Sequence, residues 1–403
     1  MLYWINFLHI YQPPTQEPET VKKVTQESYF QILELLETSK QAKMTLNIPG
    51  SLLEKLQENQ YSALIERLKS AISRGQLELT GSAMYHPILP LIPPSEVKEQ
   101  IKLNNKKNQE IFGELFKPAG FYFPEMAYSV ESAKIVKEFG FKWIILDEIH
   151  FPDGPLRRSS PPRLGEAGSE ASKPDNSIKY EIEDIGMMVV FRDRKYSKNF
   201  PPRLILENLQ KLDDKYLITA HDGELYGHWH KDYDKFLNKI LAHKDIDQMN
   251  VSEYLSELKN KVSVTPREIS WETTEEEIKK NIPYALWNDP DNKIHQELWK
   301  MSREVYNLLQ DNQDDPNYKW AKIHYSKGIS SCFWWWASER KVDVFSPVSW
   351  NPTIIEQGAT ELLKALRSLH NLPLQDRLKA EDNFNNFRSM VWKRHWVKLS
   401  EKP

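Results

Sequence analysis

The sequence has very little cysteine, since Cys332 is the only one among 403 residues. A single thiol excludes an internal disulfide framework and a cysteine metal cluster, and the aromatic stretch SSCFWWWAS around it indicates a buried, inert side chain. An excess of charge is also lacking, because 54 Lys and Arg against 57 Asp and Glu give a net charge of −3. We find no basic stripe and therefore expect no nucleic-acid partner.

Long hydrophobic runs are missing as well. No window reaches the roughly 18 apolar residues of a membrane span, and the opening stretch MLYWINFLHIYQPP has neither a basic segment nor a small-residue cleavage site. We therefore expect no membrane association and a cytoplasmic location. The length predicts two or three domains, although one α/β barrel of ordinary size would take more than half of it. The oligomeric state is not predictable from these features.

From the N-terminus, short β-branched or aromatic runs alternate with longer amphipathic segments, a pattern typical of βα units around a parallel sheet. The predicted strands are LYWINFL, KMTLNI, LELT, GFYF, KWIIL, MMVVF, YLITA and REIS. The predicted helices between them are VTQESYFQILELLETS, YSALIERLKSAISRG, SEVKEQIKLNNKKNQEIFG and SAKIVKEFG, several of which end at glycine.

Two changes of composition divide the chain. Residues 154–178 are rich in Pro, Gly and Ser, which predicts an exposed insertion between two strands. Beyond about residue 275 the strand pattern stops, and TEEEIKKNI, IHQELWKMSREVYNLLQ, NYKWAKIHYSKGISSCFWWWAS and TIIEQGATELLKALRSL read as helices. We therefore predict a βα domain over 1–274 and an α-helical domain over 275–403.

Chemically active side chains follow the predicted strands. In parallel α/β barrels the carboxyl ends of the strands converge on one face, where catalytic groups lie. Any one such group is more often a helix cap or a solvated charge, but their repetition favours a shared pocket. The side chains in question are His9, His86, Glu125, Arg192, Asp193, His221, Asp222, Glu224, Trp271 and Glu272.

A pocket with carboxylates, imidazoles and aromatic rings suits the cleavage of glycosidic bonds. One carboxylate attacks or stabilises the anomeric carbon, the other exchanges a proton with the glycosidic oxygen, and aromatic faces hold the sugar rings. In the stretch HDGELYGHW, Asp222 and Glu224 are both available for such a role. Glu224 is equally consistent with facing solvent, bonding backbone amides or touching substrate.

Several stretches, in order along the chain, resemble motifs of glycoside hydrolase family 57, an α-glucan-active family. They are HIYQPP, GQLELTGSAMYHPILPLI, FYFPEMAYS, HDGELYGHW and SSCFWWWAS. The resemblance implies a distorted, incomplete (β/α)7-type barrel followed by a helical C-terminal domain that completes the active-site cleft. NIPGSLLEKL, FRDRKYS and IPYALWNDPDNKIHQELW look most like the α-amylase-type branch.

The resemblance implies two catalytic carboxylates. The family nucleophile falls on Glu125, and the general acid/base falls on Asp222. A glutamate nucleophile implies a covalent glycosyl-enzyme and retention of configuration. The implied reaction is α-amylase-like cleavage of α-1,4 bonds in an α-glucan or maltooligosaccharide, with no metal and no cofactor. Sugar binding is expected of His9, Tyr11, Glu78, His86, His221, Trp271 and Trp334.

One position departs from the family pattern, because Tyr11 stands where the first motif usually has a second histidine. A phenol still donates a hydrogen bond to a sugar hydroxyl but is a poorer base near neutral pH. Three other functions stay open: a 4-α-glucanotransferase or branching-type transglycosylase, a non-catalytic carbohydrate-binding homologue, and a metal-dependent deacetylase. The deacetylase would use His221, Asp222, His228 and His230, but on a helix the last two would diverge.

Overall fold

The computed structural model describes residues 1–152, 173–212, 214–340 and 348–400. They form two compact units. The first comprises Met1–Gln12, Gln16–Met84 and Leu89–Trp271, and the second comprises Pro13–Thr15, Tyr85–Ile88 and Glu272–Pro403. Most of the predicted insertion at 154–178 lies outside the described residues. Every helix in the described part is too short or too polar to cross a lipid bilayer.

The strands of the described part all belong to the first unit. Their bounds are β1 Leu2–His9, β2 Met44–Asn47, β3 Leu77–Thr80, β4 Gly120–Phe121, β5 Trp143–Asp147, β6 Lys179–Ile182, β7 Met187–Arg192, β8 Tyr216–Asp222, β9 Ile246–Met249 and β10 Lys261–Val264.

Two sheets build the barrel. The first has the order β3-β2-β1-β8, with β9 added to the start of β1, and the second has the order β10-β6-β7-β5-β4. A parallel bridge between Gly81 and Phe121 joins β3 to β4, and the N–H of Asp193 donates to the carbonyl of Ile218 at 2.8 Å, which joins β7 to β8. Seven strands, β1, β2, β3, β4, β5, β7 and β8, therefore close a ring in parallel orientation, with no regular ladder at the joints β3–β4 and β7–β8. The predicted distorted (β/α)7 barrel is confirmed.

Seven of the eight predicted strands match strands of the structure, and REIS does not. Residues 267–270 are irregular because their backbone pairs with the loop after β4: the N–H of Tyr128 donates to the carbonyl of Ile269 at 2.9 Å. Three strands were not predicted: KYEI, IDQM and KVSV are four-residue strands with few apolar side chains. They lie outside the ring, where little hydrophobic patterning is needed.

Helices of the first unit surround the ring. They are α1 Pro18–Val24, α2 Phe30–Thr38, α3 Gly50–Glu58, α4 Ser62–Ser73, α5 Pro94–Phe112, α6 Val130–Glu138, α7 Arg194–Ser197, α8 Pro201–Asn208, α9 Tyr233–Leu241 and α10 Val251–Glu257. A π-helical turn, Thr25–Tyr29, links α1 to α2. Short 3-10 turns occupy Leu89–Leu91, Gly113–Leu115, Pro124–Met126, Glu148–His150, Leu209–Lys211 and Gly223–Leu225.

The second unit is helical in its described part. Its helices are α11 Glu275–Lys279, α12 Lys293–Asp311, α13 Tyr318–Gly328, α14 Cys332–Trp335, α15 Pro352–Ser368 and α16 Leu374–Ser400. The long helix predicted over NYKWAKIHYSKGISSCFWWWAS is broken at residues 329–331, between α13 and α14. The last helix was not predicted, because most of its residues are polar and only Phe387 and Val391 are buried.

Candidate active site

The ends of adjacent strands bring polar side chains together at one edge of the barrel. In the parallel register, His9 at the end of β1 lies beside Asn47 on β2 and beside Asp222 on β8. Asn47 in turn lies beside Thr80 at the end of β3 and donates to its hydroxyl at 3.0 Å. The predicted convergence at the carboxyl ends of the strands is therefore present for His9 and Asp222.

His9 is a buried, neutral imidazole. Its Nδ1 lies 2.8 Å from Oδ1 of Asn47, which makes Nδ1 the protonated nitrogen. Its ring stacks on Tyr122, with 4.5 Å between the centroids, and beside Tyr11, at 5.9 Å. Burial lowers the pKa of His9 to about 4, although the hydrogen bond to Asn47 opposes the change. The ring therefore offers hydrogen bonding without charge at neutral pH.

His221 is also neutral, for a related reason. Burial, with a smaller contribution from the nearby Arg192, lowers the pKa of its imidazole to about 3, against the hydrogen bond to the carbonyl of Asp222. That bond is 3.1 Å long and starts from Nδ1. The ring stacks on Tyr226 at 5.2 Å. Both imidazoles beside Asp222 are thus uncharged.

Glu125 lies in the 3-10 turn Pro124–Met126, after the end of β4. Its backbone is in the left-handed region with φ of 59°, and Met126 follows with φ of 46°. Side chains other than glycine rarely adopt this conformation, which costs about 1–3 kcal/mol and is found mainly at functional sites. The backbone carbonyl of Glu125 accepts from the N–H of Trp271 at 3.2 Å, so the turn is tied to the segment after β10.

Trp271 contacts the Glu125 side chain as well. Its indole Nε1–H donates to Oε2 of Glu125 at 2.9 Å. The guanidinium of Arg192 lies over the indole face, 4.6 Å from the ring centroid, and Tyr122 meets the ring edge-on at 6.2 Å. Only 8% of the residue is exposed. Trp271, which the sequence led us to expect against a sugar ring, thus contacts the side chain of the candidate nucleophile.

Two arginines that contact Trp271, Arg192 and Arg194, belong to an ionic network around Asp147. Arg192 donates to Oδ2 of Asp147 at 2.6 Å and to the carbonyl of Ala220 at 2.5 Å. Arg194 donates to Oδ1 of Asp147 at 2.7 Å and to the carbonyl of Trp271 at 2.6 Å. Burial acts to raise the pKa of Asp147, but the two guanidinium groups lower it below its usual value. Asp147 therefore remains ionised and fixes both arginines.

Tyr122 contacts two residues of the candidate site, His9 and Trp271. Its side chain is fully buried, and its hydroxyl has no hydrogen-bond partner within the described part of the chain. Burial raises the pKa of Tyr122 well above its usual value, the carboxylates of Glu125 and Asp222 raise it further, and Arg192 opposes them. Both candidate carboxylates therefore act on the same buried phenol.

Glu224 is buried and bonds a backbone amide, which argues against the alternative that it faces solvent. Its Oε1 accepts from the hydroxyl of Tyr29 at 2.5 Å and from the backbone N–H of Tyr11 at 3.3 Å, and Nε2 of Gln12 lies 3.5 Å away. Burial raises the pKa of Glu224 to about 8, and the neighbouring Asp222 adds to the rise. Glu224 therefore holds a proton at neutral pH and does not face solvent.

The side chain of Glu78 forms hydrogen bonds that connect β2 and β3 to the start of α10. Its carboxylate accepts from the hydroxyl of Thr45 at 3.0 Å and from both the backbone N–H and the hydroxyl of Ser252, in the first turn of α10. It lies two positions before the end of β3, below the level of His9 and Asn47. These contacts satisfy the start of α10, so Glu78 is left out of the site proposed below.

His86 and Trp334 belong to the second unit. His86 is buried with φ of 57°, and its Nδ1 lies 2.9 Å from the hydroxyl of Ser331. Trp334 is 1% exposed and stacks on Trp299, with 4.1 Å between the ring centroids. Against the expectation that it holds a sugar ring, Trp334 is a core residue of the helical unit. Trp335, the next residue along α14, is only half-buried.

The histidines that a metal-dependent deacetylase would use as metal ligands each contact a different partner. Nδ1 of His228 lies 2.6 Å from Oε2 of Glu27, the ring of His230 stacks on Phe200 at 4.7 Å, and His221 stacks on Tyr226. Within the described residues, three or more His, Cys, Asp or Glu side chains do not come together in a way that could hold a metal ion. The metal-dependent alternative therefore gains no support from this loop.

Three contributors were not assigned a role from the sequence. Asp147 directly follows the predicted strand KWIIL, so the rule of polar strand ends could have found it. Tyr122 is inside GFYF, where it reads as a core aromatic, and Tyr29 is inside an amphipathic helix. For these two phenols the sequence carries no local signal, since only the fold brings them to the carboxylates.

Comparisons with known proteins agree with this architecture. Residues 5–269 match the family model described as Glycosyl hydrolase family 57. An alpha-amylase of Pyrococcus horikoshii is 29% identical over 276 residues, which cover 64% of this chain and 41% of that protein. A 4-alpha-glucanotransferase of Thermococcus litoralis is 27% identical over 270 residues, which cover 62% of this chain and 38% of that protein. The chain thus spans about two fifths of the length of these relatives.

A solved structure matches over a larger share of both chains. The crystal structure of a GH57 branching enzyme from Thermococcus kodakaraensis superimposes with a TM-score of 0.70, covering 96% of this chain and 95% of that one. Its sequence identity is 15%, so the likeness concerns the fold.

Proposed function

This chain belongs to glycosyl hydrolase family 57, and from that premise we propose that it cleaves α-1,4-glucosidic bonds of α-glucans with retention of configuration. The observation that carries the proposal is that contacts of one buried ring, Tyr122, lead to both carboxylates. Trp271, which meets Tyr122, donates to Glu125, and His9, which stacks on Tyr122, is the register partner of Asp222. Two carboxylates at one site are the minimum set for double displacement.

In the first step Glu125 is the nucleophile and Asp222 is the acid. A carboxylate oxygen of Glu125 forms a bond to the anomeric carbon as the glycosidic bond breaks, and Asp222 gives its proton to the departing oxygen. In the second step Asp222 takes a proton from water, whose oxygen displaces Glu125 from the anomeric carbon. The two inversions give net retention, and both carboxyl groups return to their starting states.

Uncharged side chains near Asp222 support the assignment of Asp222 as the acid and Glu125 as the nucleophile. His9 and His221 are uncharged at neutral pH, so they bind sugar hydroxyls without competing with Asp222 as acids. Glu224, whose pKa is raised to about 8, holds its proton and adds no second negative charge beside Asp222. In this proposal Asp222 is therefore the group that exchanges a proton with the glycosidic oxygen and with water.

Glycosyl transfer is the second candidate function. The observation that favours it is the similarity to a 4-alpha-glucanotransferase, which is 27% identical over 270 residues. Transfer uses the same two carboxylates, and a sugar hydroxyl replaces water in the second step. The two functions therefore differ in the acceptor that reaches the glycosyl-enzyme.

Chromatography of products separates these functions. Wild-type protein and Glu125→Gln are incubated with maltoheptaose and with soluble starch. Shorter maltooligosaccharides from the wild type alone support hydrolysis, and longer products as well support transfer. Unchanged substrates with the wild type would reject both, and isothermal calorimetry with maltoheptaose would then test the non-catalytic binding role.

Stereochemistry is tested by proton NMR at early time points. The first signal released from maltoheptaose should be that of the α-anomer, before mutarotation. An initial β-anomer signal would mean inversion and would remove Glu125 from the role of nucleophile.

A further inference from the structure

The contact between Trp271 and Glu125 has a functional meaning beyond packing. We propose that Trp271 is a positioning residue, whose indole N–H holds the carboxylate plane of Glu125 in the orientation needed for attack. The inference rests on the proposed function, because it assigns a role relative to the nucleophile. It starts from the hydrogen bond of 2.9 Å between Nε1 of Trp271 and Oε2 of Glu125.

A carboxylate on a glutamate side chain rotates readily unless something holds it. Here the same two residues are joined twice, because the backbone N–H of Trp271 also donates to the backbone carbonyl of Glu125 at 3.2 Å. His150 adds a further link, since its Nε2 lies 2.9 Å from the carbonyl of Met126 and 3.0 Å from that of Ile269. Hydrogen bonds thus join the left-handed turn at Glu125 to the segment that carries Trp271.

Arg192 packs against the face of the Trp271 indole. Its guanidinium lies 4.6 Å from the ring centroid, and its own position is fixed by Asp147 and the carbonyl of Ala220. A cation over an aromatic face withdraws electron density from the ring and strengthens the partial positive charge at its N–H edge. The donor that faces Glu125 is therefore both held in place and polarised.

Sugar stacking is the alternative role for Trp271, and the geometry disfavours it. Arg192 covers the indole face, Tyr122 meets the ring edge-on, and 8% of the residue is exposed. A stacking role depends on the area of the ring, whereas a positioning role depends on the N–H. Removing only the N–H separates the two roles.

Trp271→Phe is the first test, since it keeps an aromatic face for Arg192 and deletes the donor. Because the deleted donor bonds a charged carboxylate, we expect kcat on maltoheptaose to fall about 10- to 100-fold. KM should change less than about threefold, because the contact is not with substrate. The acidic limb of the kcat/KM profile should move to higher pH, since ionised Glu125 loses a donor.

Trp143→Phe is the matched control. Trp143 is also a buried indole of the first unit, and its Nε1 donates to the hydroxyl of Ser252 at 3.0 Å, at the opposite end of β5 from Asp147. This variant should have the kinetics and pH profile of the wild type. If Trp271→Phe does not fold, replacement of the Trp271 indole by benzothiophene through an expanded genetic code removes the N–H and keeps the ring size.

The outcomes are distinct for the two proposals. Wild-type kcat and an unchanged acidic limb in a folded Trp271 variant would overturn the positioning role while leaving the proposed function intact. A rise in KM with unchanged kcat would also overturn it and would favour stacking. If the wild type itself leaves glucans unchanged and Glu125→Gln behaves identically, the proposed function fails.

Discussion

His9 and Asp222 are register partners on the neighbouring parallel strands β1 and β8. Their motifs lie at opposite ends of the barrel sequence, and the ladder between the two strands places them side by side. Because His9 is neutral at neutral pH, the imidazole does not hold Asp222 in an ion pair. The first prediction concerns this carboxyl group, the proposed acid/base.

Asp222→Asn removes the proposed acid/base and should reduce kcat on maltoheptaose about 10²- to 10⁴-fold. The loss should be smaller for an aryl maltoside with a good leaving group, because departure of that group needs little protonation. Steady-state kinetics on both substrates check this. Equal losses on the two substrates would argue that Asp222 does not act as the acid.

Glu224→Gln should change how the free energy of unfolding depends on pH. The pKa of Glu224 rises from 4.5 to about 8 on folding, so between these values the unfolded chain releases a proton that the folded chain keeps. The wild type should therefore lose stability as pH rises through this window, by up to about 1.4 kcal/mol per pH unit from this group. The variant retains an acceptor for Tyr29 and should lose less stability.

Urea unfolding at pH 5 and pH 8 measures this difference. Glu66→Gln, at an exposed position on α4, controls for the loss of a formal charge. Parallel stability curves for wild type and Glu224→Gln would contradict the prediction.

Asp147→Asn should destabilise the fold strongly. Asp147 forms ion pairs with the buried Arg192 and with the partly exposed Arg194, and removing one partner of a buried ion pair typically costs about 3–5 kcal/mol. Glu37→Gln is the matched variant, since Glu37 pairs with Arg67 at the surface and the expected cost is at most about 1 kcal/mol. Urea midpoints should rank the two variants in this order, and similar midpoints would show that the buried network contributes little.

Trp334→Ala should behave as a core truncation. The residue is 1% exposed and stacks on Trp299, so loss of the indole should cost about 3–5 kcal/mol. Trp320→Ala serves as the control, because Trp320 is 61% exposed and its loss should cost less than about 0.5 kcal/mol. Thermal unfolding of both variants checks the prediction. A Trp334 variant as stable as the wild type would reopen a role at the surface.

Much of the barrel was predictable from local patterns. A parallel strand buried on both faces needs an apolar run, and such runs predicted β1, β2, β3, β4, β5, β7 and β8. The polar residues at or just after the ends of strands β1, β4 and β8 led us to predict His9, Glu125 and Asp222 as neighbours at one edge. The short strands β6, β9 and β10 carry little of this pattern, which is why they were not predicted.

Strand periodicity and motifs within short stretches were enough to predict the family, the barrel and the two candidate carboxylates. The state and contacts of the side chains around these carboxylates depend on the tertiary structure. Burial and the nearby Asp222 raise the pKa of Glu224, Arg192 covers the ring of Trp271, and Trp299 covers Trp334. Each effect depends on residues distant in sequence, and a carboxylate or an indole has no fixed role until those neighbours set its solvation and its hydrogen bonds.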